Sequence, residues 1–179
     1  MTYLLHDRKI IYIRPQKTAS TTIADHCFEL PEAESLTKNT GKGNQTWEEI
    51  HANVSPKIWN TYTKVASIRN PWAQQASLYY AYYAGFTNMS LYEMLLTREF
   101  HRSTISHFLF DKEKCVVDKV IRFENLVEDT KTILGIDITK HSNPSPLGTF
   151  DYRQVYTRAT REYVRNICAR EIKEFGYEY

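Results

Sequence analysis

Between Ile10 and Phe28 the chain passes from an apolar run (Ile10, Ile11, Tyr12, Ile13) through Arg14-Pro15-Gln16-Lys17 into Thr18-Ala19-Ser20-Thr21-Thr22 and on to Ile23 and Phe28. This pattern predicts a buried strand, a tight polar loop and a helix. A helix that begins directly after such a loop leaves its first backbone N–H groups without intrahelical partners, and its dipole favours negative charge at that end. Lys17 adds a full positive charge, and Thr18, Ser20, Thr21 and Thr22 add hydroxyl donors. The chemistry suits a phosphate or sulfate ester. The plainer alternative is a polar helix start with Ser20 or Thr21 as N-cap.

The nucleoside-triphosphate loop requires G-x-x-x-x-G-K-[ST]. No glycine precedes Lys17, and Gly41-Lys42, the chain's only Gly-Lys pair, has neither the upstream glycine nor a following hydroxyl. An ordinary ATPase or kinase is therefore disfavoured. A second segment repeats the strand-to-helix grammar. Thr63–Ile68 reads as a strand, Arg69-Asn70-Pro71-Trp72 as a turn, and the run through Ser77 to Tyr83 as a helix with Pro71 in its first turn. Arg69 falls at the C-terminal end of its strand, where ligands gather in open α/β sheets. Ser77 lies about two turns further on and can join Arg69 around one anion. The bland alternative makes Arg69 a surface ion-pair partner and Ser77 a tolerated helical serine.

Together these segments resemble the sulfotransferase superfamily, most closely its carbohydrate-type branch. Pro15 to Thr22 resembles the family's 5′-phosphosulfate loop, and Arg69-Asn70-Pro71 with Ser77 is similar to its 3′-phosphate motif. Val120 to Leu126 resembles a later strand-and-turn segment, and Tyr152 to Thr157 with Phe175-Gly176-Tyr177 resembles the C-terminal pattern. The resemblance runs from about Ile10 to Tyr177. It implies a P-loop NTPase-like sulfotransferase fold, and sulfonyl transfer from 3′-phosphoadenosine 5′-phosphosulfate (PAPS, leaving PAP) to an acceptor hydroxyl or amine, with a carbohydrate as the expected acceptor. It further implies that Lys17 neutralises the departing phosphate. Lys17, Thr18, Ala19, Ser20, Thr21 and Thr22 would hold the phosphosulfate, Arg69 and Ser77 the 3′-phosphate, and no metal is needed.

An acceptor oxygen needs a positioned base. Asn44 stands where many carbohydrate-type members place a histidine, and it cannot act as one. Thr46-Trp47-Glu48-Glu49-Ile50 resembles the stretch of members that use a glutamate, so Glu49 is the implied base, with His51 and Glu48 behind it. The alternative is that Glu48 and Glu49 only favour a helix N-terminus by charge–dipole attraction.

At 179 residues, with 42% hydrophobic and 25% charged residues, the chain is expected to form one domain over residues 1–179. The expected class is α/β, a three-layer α/β/α arrangement around a central parallel sheet. A net charge of +2 gives no whole-molecule field suited to nucleic acid or membrane. Cys27, Cys115 and Cys168, odd in number and widely spaced, read as buried thiols of a reducing compartment. The absence of an apolar spanning run or signal pattern leads to the expectation of a soluble, cytoplasmic protein. The six histidines offer no metal-ligand spacing.

Strands are expected at Lys9–Arg14, Thr63–Ile68 and Val116–Phe123. Helices are expected at Thr21–Phe28, Thr46–Ala52, Trp72–Tyr83, Leu91–Arg98, Leu126–Leu134 and Thr160–Phe175. Glu32–Gln45 and Thr139–Asp151 read as loops suited to substrate recognition. Of Tyr79, Tyr80, Tyr82 and Tyr83, some must face the core, and the others can line an acceptor cleft. Two further functional classes remain: a non-catalytic PAP- or PAPS-binding module that lost its base, and a nucleotide kinase.

Overall fold

The structure, a computed structural model, describes residues 2–36, 44–138 and 151–179. Its centre is a five-stranded sheet built from β1 (Tyr3–Leu5), β2 (Ile10–Ile13), β3 (Ala33–Ser35), β4 (Thr63–Ile68) and β7 (Lys119–Arg122), in the order β3-β1-β2-β4-β7. Two short strands, β5 (Phe110–Asp111) and β6 (Lys114–Cys115), form a separate antiparallel hairpin.

The expectation of a parallel sheet holds for half of it. β2, β4 and β7 pair in parallel, with Tyr12 opposite Val65 and Ser67 opposite Ile121. β1 runs antiparallel to both β2 and β3, so the sheet is mixed. Three-residue strands carry too little pattern to be read reliably. β3 falls inside the stretch read as loop from Glu32, and its half-exposed Ala-Glu-Ser suits an edge. The rest of that expected loop over 37–43, and the expected loop over 139–150, lie outside the described residues.

Ten helices occur among the described residues. They are α1 (Ser20–Phe28), α2 (Trp47–Asn53), α3 (Pro56–Thr61), α4 (Pro71–Tyr82), α5 (Leu91–Leu95), α6 (Arg98–Ser103), α7 (Ile105–Leu109), α8 (Leu126–Leu134), α9 (Arg158–Ile167) and α10 (Ala169–Phe175). The apolar character of both faces of the parallel strands explains their placement. Tyr3, Leu5, Ile10, Tyr12, Val65 and Ile121 face one way and pack on Ile23, Ala24 and Cys27 of α1 and Leu126 and Leu134 of α8. The alternate residues, Leu4, Ile11, Ile13, Ala66 and Ile68, face the other way against Ile50, Ile105, Phe108 and Phe175. A third cluster joins Trp72 and Leu78 of α4 to Met94, Phe100, Val164 and Cys168.

Side-chain caps correct several expected boundaries. The helix expected over Leu91–Arg98 is divided because Thr97 accepts the N–H of Phe100 and starts α6. The long C-terminal helix begins earlier, at Arg158 behind a Thr157 cap, and breaks at Cys168. Lys9 is left-handed (φ 51), which delays β2 to Ile10. All three cysteines are free; Cys27 and Cys168 are buried as expected, whereas Cys115 is partly exposed. Among the described residues no helix is long and apolar enough to cross a membrane.

One carboxylate ties the last helix to the middle of the chain. Glu171 of α10 is fully buried and accepts the Ser106 N–H at 2.5 Å and the Ser106 hydroxyl at 2.8 Å. Burial pushes its carboxyl up from 4.5 to about 7 despite these bonds. The folded chain therefore holds this proton more tightly than the unfolded chain, so stability falls as pH rises from about 4.5 to about 7 and then levels off. The full effect is on the order of 3 kcal/mol. Glu171→Gln, which keeps the acceptor for Ser106, should flatten this part of the profile when urea unfolding is compared at pH 5 and pH 8. An unchanged slope would show that another group sets it.

Candidate functional site

The loop between β2 and α1 is held in a conformation its residues do not prefer. Lys17 and Ala19 both have φ 59, with Thr18 between them at negative φ. A left-handed non-glycine residue costs about 1–2 kcal/mol, so the surroundings must impose it. From below, the Thr18 hydroxyl donates to the Pro15 carbonyl at 2.9 Å and shares a 2.7 Å hydrogen bond with Ser67 Oγ. Tyr12 Oη donates to the same Ser67 oxygen at 3.0 Å. From the side, Gln74 Nε2 donates to the Gln16 carbonyl at 2.7 Å and Arg69 Nη1 to the Lys17 carbonyl at 3.3 Å. Changes in the sign of φ along such a loop gather backbone N–H groups into anion-binding concavities.

The first turn of α1 follows at once. Its N-cap is Ala19, with no side-chain cap, so neither Ser20 nor Thr21 serves the capping role that was the plain alternative. Among the described residues no side chain caps this helix N-terminus, the end at which a helix favours negative charge. The hydroxyls divide into two kinds. Thr21 is exposed and accepts from Arg14 Nη2 at 3.3 Å, while Thr18, Ser20 and Thr22 are buried. Thr18 spends its hydroxyl on the scaffold, so its contribution to a ligand is its backbone. Burial, and then the Arg69 charge, pull the Lys17 ammonium below the ordinary lysine value. Its Nζ lies 5.5 Å from the centre of the Tyr82 ring, which is 58% exposed.

Arg69 follows Ile68, the last residue of β4. Its guanidinium lies 3.9 Å over the Phe123 ring, and its Nε is buried with no hydrogen-bond partner among the described residues. Burial lowers its pKa to about 10, with Glu124 pulling the other way. The next residue anchors the segment. Asn70 Oδ1 accepts the N–H groups of Trp72 and Ala73 and so caps α4. The Asn70 N–H donates to Glu124 Oε1 at 2.8 Å, and its Nδ2 to the Glu178 carbonyl at 2.7 Å. Tyr177 Oη donates to Glu124 Oε2, closing the wall. Ser77 lies within a stretch of α4 buried from Pro71 to Leu78 and is itself only 2% exposed.

The structure therefore brings Lys17, Thr18 and Arg69 together directly. The residues expected near the acceptor are arranged differently. Glu49 occupies the third position of α2, where its Oε2 accepts the Thr46 N–H at 3.1 Å while its own N–H donates to Thr46 Oγ1. This is a capping box, the local role that competed with catalysis in the sequence reading. His51 is exposed and lies against Trp59, ring centres 4.7 Å apart, with Trp47 on α2 at 6.5 Å. Glu48 is exposed, and Asn44 is half-buried ahead of α2.

Several residues that matter here carried only a faint signal. Ser67 is a hydroxyl in the buried and otherwise apolar end of β4, Val65–Ile68, and Gln74-Gln75 is an amide pair in the buried first part of α4, Pro71 to Leu78. Polar residues in such settings must find partners, and these find the loop. Phe123, Glu124 and Tyr177 fall in the motif-like stretches of the sequence, and in the fold they form the walls of Arg69. His107 on α7 has no motif around it in the sequence. Burial and Arg102 lower its pKa, and Glu48 and Glu49 act on it in the opposite sense.

The relay from Tyr12 through Ser67 to Thr18 makes a direct prediction. Thr18→Val and Ser67→Ala should each lower stability by about 1–3 kcal/mol. Because the two hydroxyls share one bond, the double variant should lose clearly less than the sum. Urea unfolding of the four proteins tests this, and strict additivity would mean that the two hydroxyls act independently.

No family model matches the chain, and comparisons with curated proteins and with solved structures return no match.

Proposed function

We propose that the chain is a PAPS-dependent sulfotransferase of the carbohydrate type, with a P-loop NTPase-like sulfotransferase fold, working in the cytoplasm on a hydroxyl or amine of a small-molecule or glycan acceptor. The observation that carries this reading is the pairing of two cationic sites at the C-terminal ends of adjacent parallel strands. One is a helix N-terminus behind left-handed Lys17 and Ala19, with no side-chain cap among the described residues; the other is a buried guanidinium whose Nε has no partner among them. A ligand with two separated anionic ends fits that pairing, and the lack of a Gly-Lys-hydroxyl loop argues against a nucleoside triphosphate.

When bound, PAPS supplies the sulfonyl group. The chain's own part is electrostatic and positional. The Lys17 ammonium, half-buried, acts with less solvent screening on charge that develops nearby. The loop N–H groups and Thr21 hold the phosphosulfate end. Arg69, fixed flat by Phe123 and by its bond to the Lys17 carbonyl, takes the 3′-phosphate. Glu49 serves as the base that accepts the acceptor's proton. Tyr82, exposed beside Lys17, offers the acceptor a ring face.

One observation favours a second reading, a PAP- or PAPS-binding module without turnover: the Glu49 carboxylate is engaged in its own helix cap. Radiolabelled PAPS with a panel of glycans, phenols and amines separates the two by sulfated product.

Calorimetry should show PAP binding far tighter than AMP, with a strong loss in Arg69→Ala; equal affinities for PAP and AMP remove the 3′-phosphate assignment. Lys17→Ala should lower turnover at saturating PAPS by about two to three orders of magnitude while changing PAP affinity less. Glu49→Gln retains a capping acceptor and removes basicity. It should leave PAP binding intact and lower turnover about a hundredfold or more. If His51→Ala abolishes turnover and Glu49→Gln does not, the base is His51.

A further inference from the structure

The geometry points to Gln74 as the positioning residue of the Lys17 loop, acting through a buried amide relay that presets the loop for its anion. The relay rests on the reading of Lys17 and its neighbours as the anion site, and it adds to that site a component on α4. Gln74 is almost completely buried, and its amide nitrogen bridges two main-chain carbonyls, Gln16 at 2.7 Å and Ser103 at 3.1 Å. Two carbonyl acceptors fix which end of the amide carries the hydrogens. Its Oε1 accepts from Gln75 Nε2 at 3.3 Å, and the one Ser103 hydroxyl hydrogen is shared between the Phe100 carbonyl at 2.7 Å and Gln75 Oε1 at 3.2 Å. The relay thus begins at the junction of α6 and α7, passes through two consecutive glutamines and ends on the residue before Lys17.

A buried pair of amides is costly unless its groups find partners. Here the last donor is used on a loop whose own residues do not favour left-handed Lys17 and Ala19. Thr18 holds the loop from beneath the sheet end, and Arg69 holds the Lys17 carbonyl from the side of the 3′-phosphate. Gln74 is the one of the three that neither belongs to the loop nor carries charge toward a ligand. Its role is therefore indirect. It lowers the ordering cost that the anion must otherwise meet on binding, which is the general way in which preorganisation raises affinity.

The test replaces Gln74 with methionine, close in length and without donors, and measures two quantities. Hydrogen exchange of the Gln16–Ser20 amides, without ligand, should accelerate at least tenfold in Gln74→Met relative to wild type, with the sheet amides little changed. PAP affinity by calorimetry should fall about tenfold or more. Ala19→Gly added to Gln74→Met relieves the left-handed cost at residue 19 and should recover at least threefold of that affinity, which a general loss of stability does not allow. Gln74→Asn, which keeps the amide but withdraws it by one methylene, should fall between and serves if the methionine variant does not fold. Acceleration spread evenly over the sheet, or wild-type exchange and PAP affinity in both Gln74 variants, overturns the proposal. If wild type binds no PAP, the proposed function fails, and the exchange comparison alone decides the role of Gln74.

Discussion

A single buried oxygen, Ser67 Oγ, sits where the two halves of the candidate site meet. It belongs to β4, receives the Tyr12 hydroxyl from β2, and shares a hydrogen bond with Thr18 in the loop that follows β2. Two residues further along the chain, just past the end of β4, comes Arg69, whose guanidinium reaches back to the Lys17 carbonyl. The parallel register, Tyr12 against Val65 and Ile13 against Ala66, brings both strand ends to the same level. Without that register Ser67 would not lie under Thr18, and the two cationic sites would be separated. The loop's conformation is thus a tertiary property: local preference opposes it, and the sheet enforces it.

The same logic explains how much of the molecule is legible in sequence. Apolar strands with both faces buried announce themselves, so β2 and β4 are read nearly to the residue, and α8 is read without error. Lys17 and Arg69 are legible because charge at a strand end has few structural uses. Capping escapes a pattern reading. Thr97 and Thr157 look like ordinary polar residues, yet each decides where a helix starts. Short strands escape as well, and with β1 and β3 went the antiparallel half of the sheet. The partners of buried polar groups are the least legible of all. Nothing in the neighbourhood of Gln74 indicates that it will meet Gln16, 58 positions earlier.

Glu49 shows the limit from the other side. An acidic residue three places after a threonine has a local use, as a capping box, and a possible catalytic one, and the same spacing serves both. The structure places the carboxylate in its cap. His51 is likewise engaged, ring against ring with Trp59. Residues such as these keep a structural occupation even where they are available for chemistry, so only a substitution that preserves the cap separates the two roles.

The walls of Arg69 differ from those of Lys17 in sequence distance. The Lys17 loop leans on strands and a helix from the first half of the chain. Asn70, by contrast, is anchored to Glu178 across 108 positions, and Trp72 bonds to the Arg161 carbonyl across 89 and accepts from Tyr156 across 84. Closing such long loops is slow because their entropy must be lost before the contacts form. The two cationic regions therefore mature on different schedules. The Lys17 side can form as soon as β2, β4 and α4 have met, whereas the Arg69 side waits for the C-terminal residues to arrive. During folding the chain passes through a state in which the Lys17 loop is already braced while the walls of Arg69 are still open.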